Sequence, residues 1–345
     1  MKRTGLPSRG IASDVENWCY NFVMARTSVG VLRGGTSSEY NLSLKTGAAL
    51  LNALPEDRYD TRDIFIDKSG MWHVRGTPAD ASRALSQVDV VLNALHGGVG
   101  EDGTVQRILE RAGVPYTGAR ALPAANTLNK IRTRELVHAA GVRMPRATSF
   151  SLKNEITTAD MARAVFSEFG PPYIVKPVFE GAGSGIKLVF TLLELPDAIG
   201  DVLDSFGSAR VEEYVRGHDV SVGVIEDYRD QELYALPPVH MIAPRGSHYI
   251  DLDAHEGARI THVVPSNFSH AEKQALMQAA RTAHRALGLS HFSRADFRQT
   301  SRVPYLLEIN AIPGLYPGSS FTAALESVGS TVREFAEHAI DLARH

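Results

Sequence analysis

Two short stretches near the C-terminal end place carboxylates at a spacing that suits metal chemistry. In LEINAIPG, Glu308 and Asn310 are two residues apart on an expected strand, and side chains two apart on a strand leave the same face. SRADF repeats that spacing with Arg294 and Asp296. If the two strands pair, Asp296, Glu308 and Asn310 gather hard oxygen ligands on one face, with Arg294 at the edge. Mg²⁺ bridging nucleotide phosphates takes a few such oxygens and completes its octahedron with phosphate and water. Two buried acids without a cation would be costly. The plainer alternative is a surface ion-pair set between Arg294 and the acids; the amide of Asn310, converging with both, favours the metal.

A second candidate is EGAGSG, Glu180–Gly185, which holds three glycines in six residues. A dinucleotide fingerprint needs a third glycine where Ile186 stands and a helix after it, but IKLVF reads as a strand. A Walker loop needs Gly at Ile186 and Ser or Thr at Leu188. The loop therefore joins two strands, and small residues there can cradle phosphate oxygens with backbone N–H groups. Lys176 ends the strand before it and Lys130 lies near another expected loop; either can reach a phosphate as a point charge. A plain hairpin and solvated lysines are the alternatives.

These residues need elements to hold them. Over Ser28–Leu32, Arg62–Ile66 and Asp89–Leu95, strand-like runs alternate with helices, which predicts a parallel sheet with helices on its faces. Its ligand loops would lie beyond the strands' carboxyl ends. A helix is expected over Thr127–Ala140, ended by Gly141. Beyond a variable stretch come strand YIVKP, the glycine loop, strand IKLVF and a helix over Leu195–Phe206. ARVEEYV, DVSVGVIE and LYALPPVHM read as strands. A helix from Ser269 carries a capping box with Glu272 and an apolar face of Leu276, Ala280, Ala283 and Leu287, with Gly288 as its stop. Two strands and two helices, facing with Phe335, Ala339 and Leu342, end the chain.

The 345 residues allow two or three domains. A formal charge of −3 gives no general pull toward nucleic acid or anionic membrane, and no apolar run is long enough to span a bilayer. Cys19 is the single cysteine, which excludes an intramolecular disulfide and a Cys-rich zinc site and suits the cytoplasm. MKRTGLPSRG is basic but lacks an apolar h-region. Residues 1–23 read as an extension or the product of an upstream start, with an ordered segment as the alternative.

From about Ser28 onward the chain resembles the D-alanine–D-alanine ligases of the ATP-grasp superfamily. The motifs that carry this are LRGGTSSE (32–39), LHGGVGEDG (95–103), PYTG (115–118), Asn129–Lys130, YIVKP (173–177), EGAGSG, VEEYVRGHDVSV (211–222), SRADF (293–297) and LEINAIPGLYPGSS (307–320), in the family's order and at similar spacing. The resemblance implies an α/β and α+β fold: a parallel-sheet, Rossmann-like pre-ATP-grasp domain (28–120) after an extension without fixed structure (1–27), then a two-subdomain ATP-grasp fold (121–208 and 209–345). It implies a ligase that joins D-Ala to D-Ala through an acyl phosphate for peptidoglycan precursors, using ATP and two Mg²⁺ ions, with Mn²⁺ as a substitute. Its partners would be small amino acids and, as is common in the family, a second copy of the chain.

By the same resemblance, Glu39 would bind the first substrate's ammonium. His96 and the loop after it, with Glu101, would line the substrate pocket. Lys130, Lys176 and the loop residues Glu180, Gly181, Ala182 and Gly183 would hold ATP phosphates. Glu212, Glu213, Tyr214 and Val215 would read adenine, and Asp219 the ribose. Asp296, Glu308 and Asn310 would be the metal ligands. Arg294 and the Gly314 N–H would stabilise the oxyanion of the tetrahedral species. Ser319 and Ser320 would hold the second substrate's carboxylate. Without those motifs, Glu39 reads as an acid at a helix N-terminus and His96 as a satisfied core histidine.

Two departures stand out. The family's glycine-loop serines are replaced by Ala182 and Gly183, leaving Ser184 as the hydroxyl nearest the acyl phosphate. The family's lid lysine and tyrosine are replaced in YIDLDAHEG (249–257) by His255 and Glu256. A histidine would make phosphate contact pH-dependent near neutrality. The coupled change leaves room for another second substrate, D-lactate, D-Ser or another amino acid, or for an ATP-binding homologue without turnover.

Overall fold

The structure, a computed structural model, describes residues 26–345 except 154, 248 and 258. The expected extension over residues 1–23 lies outside the described residues. The first unit runs β1 (Thr27–Gly34), α1 (Tyr40–Ala53), β2 (Tyr59–Ile66), β3 (Trp72–Val74), β4 (Thr77–Ala79), α2 (Ala81–Leu85), β5 (Val90–Asn93) and α3 (Thr104–Ala112). Its sheet has the order β4-β3-β2-β1-β5. Strands β2 and β5 flank β1 in parallel, whereas β3 and β4 add an antiparallel edge that the apolar runs did not reveal. Both GG loops leave the carboxyl ends of β1 and β5, as the alternating pattern requires.

The helix expected over Thr127–Ala140 is two helices, α4 (Ala121–Leu128) and α5 (Lys130–Ala139). Asn129 has extended backbone and its side chain accepts the N–H groups of Ile131 and Arg132. That N-cap outweighs continuous periodicity and sets Lys130 at the first turn of α5. Next come β6 (Ala147–Ser151), α6 (Thr158–Glu168), β7 (Tyr173–Lys176), β8 (Lys187–Val189), α7 (Leu195–Phe206) and β9 (Ser208–Glu213). The sheet order β6-β9-β7-β8 shows that β9 completes this unit, so a division at 208/209 falls at the first residue of one of its strands. Strand β6 and helix α6 fill what reads in sequence as a variable stretch.

The third unit contains β10 (His218–Tyr228), β11 (Gln231–Ala235), β12 (Val239–Ile242), α8 (Leu252–Glu256), β13 (Thr261–Val263), α9 (His270–Ala286), β14 (Phe292–Gln299), β15 (Pro304–Asn310), α10 (Ser320–Ser327) and α11 (Val332–Arg344). LYALPPVHM is thus two strands, because Pro237 and Pro238 fall between β11 and β12 and cannot donate to a ladder. The path β13-β12-β10-β14-β15 is antiparallel. Helix α9 has the expected capping box of Ser269 and Glu272, and buries Leu276, Ala280 and Ala283.

The units share cores. Val29, Val31 and Leu50 pack in one cluster with Phe292, Phe321, Phe335 and Ile340, so α10 and α11 close back onto the first unit. Ala124 and Val137 of α4 and α5 join Val220, Phe297 and Leu306 of the third sheet. Each large apolar side chain buried in this way contributes about 1.5–3 kcal/mol relative to exposure. This cross-packing fixes the loops of the first unit against β14 and β15. Among the described residues no helix is long and apolar enough to cross a membrane.

Candidate active site

A cleft of about 780 Å³, open to solvent, lies between the β6–β9 sheet and the third sheet. Lys176, Glu213, Tyr214, Val215, Asp219, His255, Asp296 and Glu308 lie along its walls. Its charged side chains are already matched. Lys176 and Arg210 face each other across β7 and β9. Lys176 Nζ meets Glu212 Oε2 at 2.8 Å, and Arg210 Nε meets Glu212 Oε1 at 2.6 Å. Burial alone would raise the Glu212 carboxyl, but the two cations outweigh it and hold it at about 2. Glu213 accepts from the backbone N–H and Nε of Arg146 at 2.9 and 2.7 Å.

Asp219 pairs with Arg298 at 3.1 Å, and burial pushes its carboxyl up to about 6. The Arg298 guanidinium also sits 5.7 Å from the Tyr214 ring centre. Arg298 had no place in the sequence reading. The signal was present, because Arg294, Asp296 and Arg298 continue one period-two face of β14.

Deeper in, the expected strand pairing exists: Asp296 stands opposite Glu308, and Arg294 opposite Asn310, with a bulge after Asp296. The ion-pair alternative is present too, but as a buried pair. Arg294 Nη2 donates to Asp296 Oδ2 at 2.7 Å and lies 3.9 Å from Glu308. Asn310 Nδ2 is 3.4 Å from Asp296 Oδ2. Burial raises the Asp296 carboxyl. For Glu308, burial is outweighed by Lys130, Arg294, Lys176 and His255, which together lower it. Two carboxylates and an amide on one wall are hard oxygen donors and fit Mg²⁺ or Mn²⁺. Among the described residues no three His, Cys, Asp or Glu side chains form a self-contained metal site.

Beyond this patch is a much smaller inner cavity, lined by Glu39, His96, Ala182, His255, Arg294 and Gly314 among others. Glu39 precedes α1 but its side chain makes no cap bond. Burial, reinforced by Glu101 and Glu308, pushes its carboxyl up to about 8 despite Arg294 and Lys130. His96 shares Thr46 Oγ1 at 2.7 Å and bonds to Ile312, while burial drives it down to about 3. It is therefore neutral and tied in, as a core histidine would be, and it also faces the cavity. Glu101 accepts from Gly97 N at 2.7 Å and Ile312 N at 3.3 Å, joining the HGG loop to the chain after β15.

The glycine loop is a hairpin connection: β7 and β8 pair antiparallel on either side of it. Lys130 Nζ donates to the Glu180 carbonyl, and Ser38 Oγ donates to Glu180 Oε2 at 3.0 Å. A Cβ on Gly181 would lie 2.6 Å from Glu39 Oε1, so a side chain there would displace the Glu39 carboxylate. The loop divides between the two spaces: Gly183 reaches the cleft and Ala182 the inner cavity. Ser184 lies in the turn, its N–H on the Gly181 carbonyl at 3.0 Å. Ala182 and His255 line the inner cavity.

His255, on the short lid helix α8, lines both spaces. Burial, with Arg294 nearby, drives it down to about 4. It is neutral throughout the neutral range, contrary to the expected titration there. Ser319 caps α10 and its Oγ donates to the Gly314 carbonyl at 2.7 Å. Ser320 Oγ donates to Ser221 Oγ at 3.0 Å, and Ser221 stands opposite Asp296. The two serines therefore stand behind Gly314 and Asp296. Sequence reading also missed Leu42 and Tyr316, which close the inner cavity; apolar walls carry no spacing signal.

Two antiparallel-sheet units gripping an open cleft, after an α/β unit whose loops reach into it, define an ATP-grasp fold. The family profile described as D-ala D-ala ligase C-terminus matches residues 136–341, and that described as D-ala D-ala ligase N-terminus matches 73–119. A D-alanine--D-alanine ligase of Desulforudis audaxviator is 31% identical over 318 residues, covering 92% of this chain and 98% of the relative. That of Geotalea uraniireducens is 33% identical over 291 residues, 83% of this chain and 86% of the relative. Among solved structures, the VanG D-Ala:D-Ser ligase from Enterococcus faecalis superposes with a TM-score of 0.79 at 26% identity, covering 92% of this chain and 99% of that one. The chain belongs to the D-alanine–D-alanine ligase family.

Proposed function

We propose that the chain joins two molecules of D-alanine at the expense of ATP, giving D-Ala-D-Ala, ADP and phosphate, as a step in making peptidoglycan precursors. The observation that carries this reading is the inner cavity. A buried acid raised to about 8 faces a buried arginine across a small space that adjoins the larger open cleft. A substrate ammonium entering beside Glu39 supplies the cation that this acid lacks, and Arg294 offers its guanidinium to the carboxylate end.

The first D-alanine's carboxylate attacks the γ-phosphorus of ATP. A C–O–P linkage forms, the bond to the β-phosphate oxygen breaks, and ADP leaves with that electron pair. The second D-alanine's amine then attacks the acyl carbon, and collapse of the tetrahedral species expels phosphate and leaves the amide. Arg294 and the Gly314 N–H are placed to receive the developing oxyanion. Lys130, Lys176 and the backbone of Glu180–Gly183 serve the phosphates. The backbone around Glu212–Val215 serves adenine, and Asp219 the ribose; the carboxylates of Glu212 and Glu213 are engaged elsewhere and stiffen that edge. Asp296, Glu308 and Asn310 would hold two Mg²⁺ ions, or Mn²⁺, which neutralise phosphate charge when bound. Ser319 and Ser320 act on the second carboxylate through the chain they fix.

A phosphate-release screen over amino-acid and hydroxy-acid pairs, with products identified by mass, tests the reading. D-Ala with D-Ala is expected to give the dipeptide. A product with D-Ser or D-lactate alone would move the assignment to those relatives, and ATP binding without phosphate release under any pairing would sink the ligase. Glu308→Ala should lower turnover by roughly a thousandfold or more, the scale of several kcal/mol of charge stabilisation. Near-normal turnover would remove Glu308 from the metal set.

A further inference from the structure

Ala182 is the one non-glycine between Gly181 and Gly183, and it holds φ +49. That left-handed conformation is unfavourable for a residue with a Cβ, and glycine would occupy it freely. The methyl is nevertheless buried, at 6% exposure, in a small apolar cluster with Leu42 of α1, Tyr316 from the segment after β15, and Leu252 of α8. Four separate pieces of chain meet there. The loop and lid also touch through backbone: a Cβ on Gly183 would lie 2.8 Å from the Ile250 carbonyl oxygen. The far end of α8 is tied to α1, where Asn41 Nδ2 donates to Glu256 Oε1 at 3.1 Å and Lys45 Nζ to the Glu256 carbonyl at 2.5 Å.

We propose that Ala182 and Leu252 form an apolar anchor that holds the α8 lid down over the inner cavity and so keeps water from the activated acyl group. The inference rests on the ligase reading for its chemistry. Water attacking the acyl phosphate forms a new C–O bond at the carbonyl carbon. Phosphate leaves with the electron pair of the old C–O bond, and the water's protons go to phosphate and solvent. D-alanine is regenerated, and the net change is ATP plus water to ADP plus phosphate. An apolar closure suits this task because it offers water no polar foothold. Ala182 and Leu252 are positioning residues, and their loss should uncouple the reaction rather than stop it.

The test measures phosphate released per dipeptide formed by the full-length chain with ATP, Mg²⁺ and D-alanine. The unsubstituted protein is expected to give one phosphate per dipeptide. Leu252→Ala and Ala182→Gly should each raise that ratio by about threefold, and Leu252→Met should restore it. Ala182→Gly is the sharper variant, since it relieves the backbone while removing only the methyl. Ratios that stay at one in both variants overturn the anchor. Limited proteolysis of the 249–256 segment reads the lid without turnover. Cleavage about threefold faster in both variants supports the anchor, and unchanged cleavage overturns it. No phosphate from the unsubstituted protein with any pairing, together with the faster cleavage of both variants, would sink the ligase reading alone.

Discussion

The outer cleft and the inner cavity handle buried charge in opposite ways. In the cleft, Glu212 is gripped by Lys176 and Arg210, and Asp219 by Arg298. In the cavity, Glu39 meets two further acids, and its nearest cations act only through space. The first arrangement is complete before any ligand arrives and fixes the shape of a wall. The second leaves a buried acid beside two others, which on the proposed ligase reading is where a substrate ammonium would enter. The two spaces are thus told apart by whether a buried carboxyl has a cation within hydrogen-bond reach: Glu212 and Asp219 do, although burial still raises Asp219 to about 6, and Glu39 does not.

Breaking the cleft's pairing should have the largest effect, and on stability. Glu212→Ala leaves Lys176 and Arg210 buried together without their acid, a loss of about 3–5 kcal/mol by denaturant unfolding. Because the folded carboxyl is depressed to about 2 from 4.5, its contribution is present above pH 4.5 and disappears between pH 4.5 and 2. A variant as stable as the parent at pH 7 would show that the triad adds little.

In the cavity the expected change is in binding. Glu39→Gln should weaken D-alanine binding by roughly thirtyfold or more, the scale of a lost buried charge partner, while making the fold no less stable at neutral pH, where the raised carboxyl costs stability. The empty-site carboxyl titrates near 8, so affinity in the parent should climb with pH from 6 to about 8 as Glu39 ionises more readily, and binding at pH 7 should release a proton. Calorimetry in buffers of different ionisation heat measures that proton; no release would mean that Glu39 is already charged. The corresponding stability has the opposite sign to that of Glu212, since a raised acid contributes below pH 4.5 and its contribution is lost as pH rises through 8.

The smallest change sharpens the cleft. Arg298→Gln removes the Asp219 partner and the cation beside Tyr214. It should raise the KM for ATP about three- to tenfold while leaving kcat within about twofold. An equal fall in kcat would place Arg298 in the chemistry rather than in the wall.

Much of the site was legible because its spacing is local. The i, i+2 pairs Arg294/Asp296 and Glu308/Asn310 state their shared face in the sequence, and β14 and β15 set them opposite one another as that pattern requires. The capping box at Ser269 and Glu272 was equally local. The break at Asn129 was not, because helical periodicity runs through it and only the cap geometry divides the helices. Nor was the antiparallel edge of β3 and β4, whose strands of three residues are too short to carry an alternation signal.

By itself, then, the sequence determined the order of the elements, the faces of its strands and the set of charged groups available to the chemistry, since these follow from dihedral preference and spacing along one chain. Tertiary structure alone decided which charges meet. It paired Asp219 with Arg298 and Glu212 with Lys176, left Glu39 among acids, held His255 neutral and brought Ala182 against Leu252. Desolvation and through-space charge depend on every segment packed around a group, and those segments lie tens to hundreds of residues away in the chain.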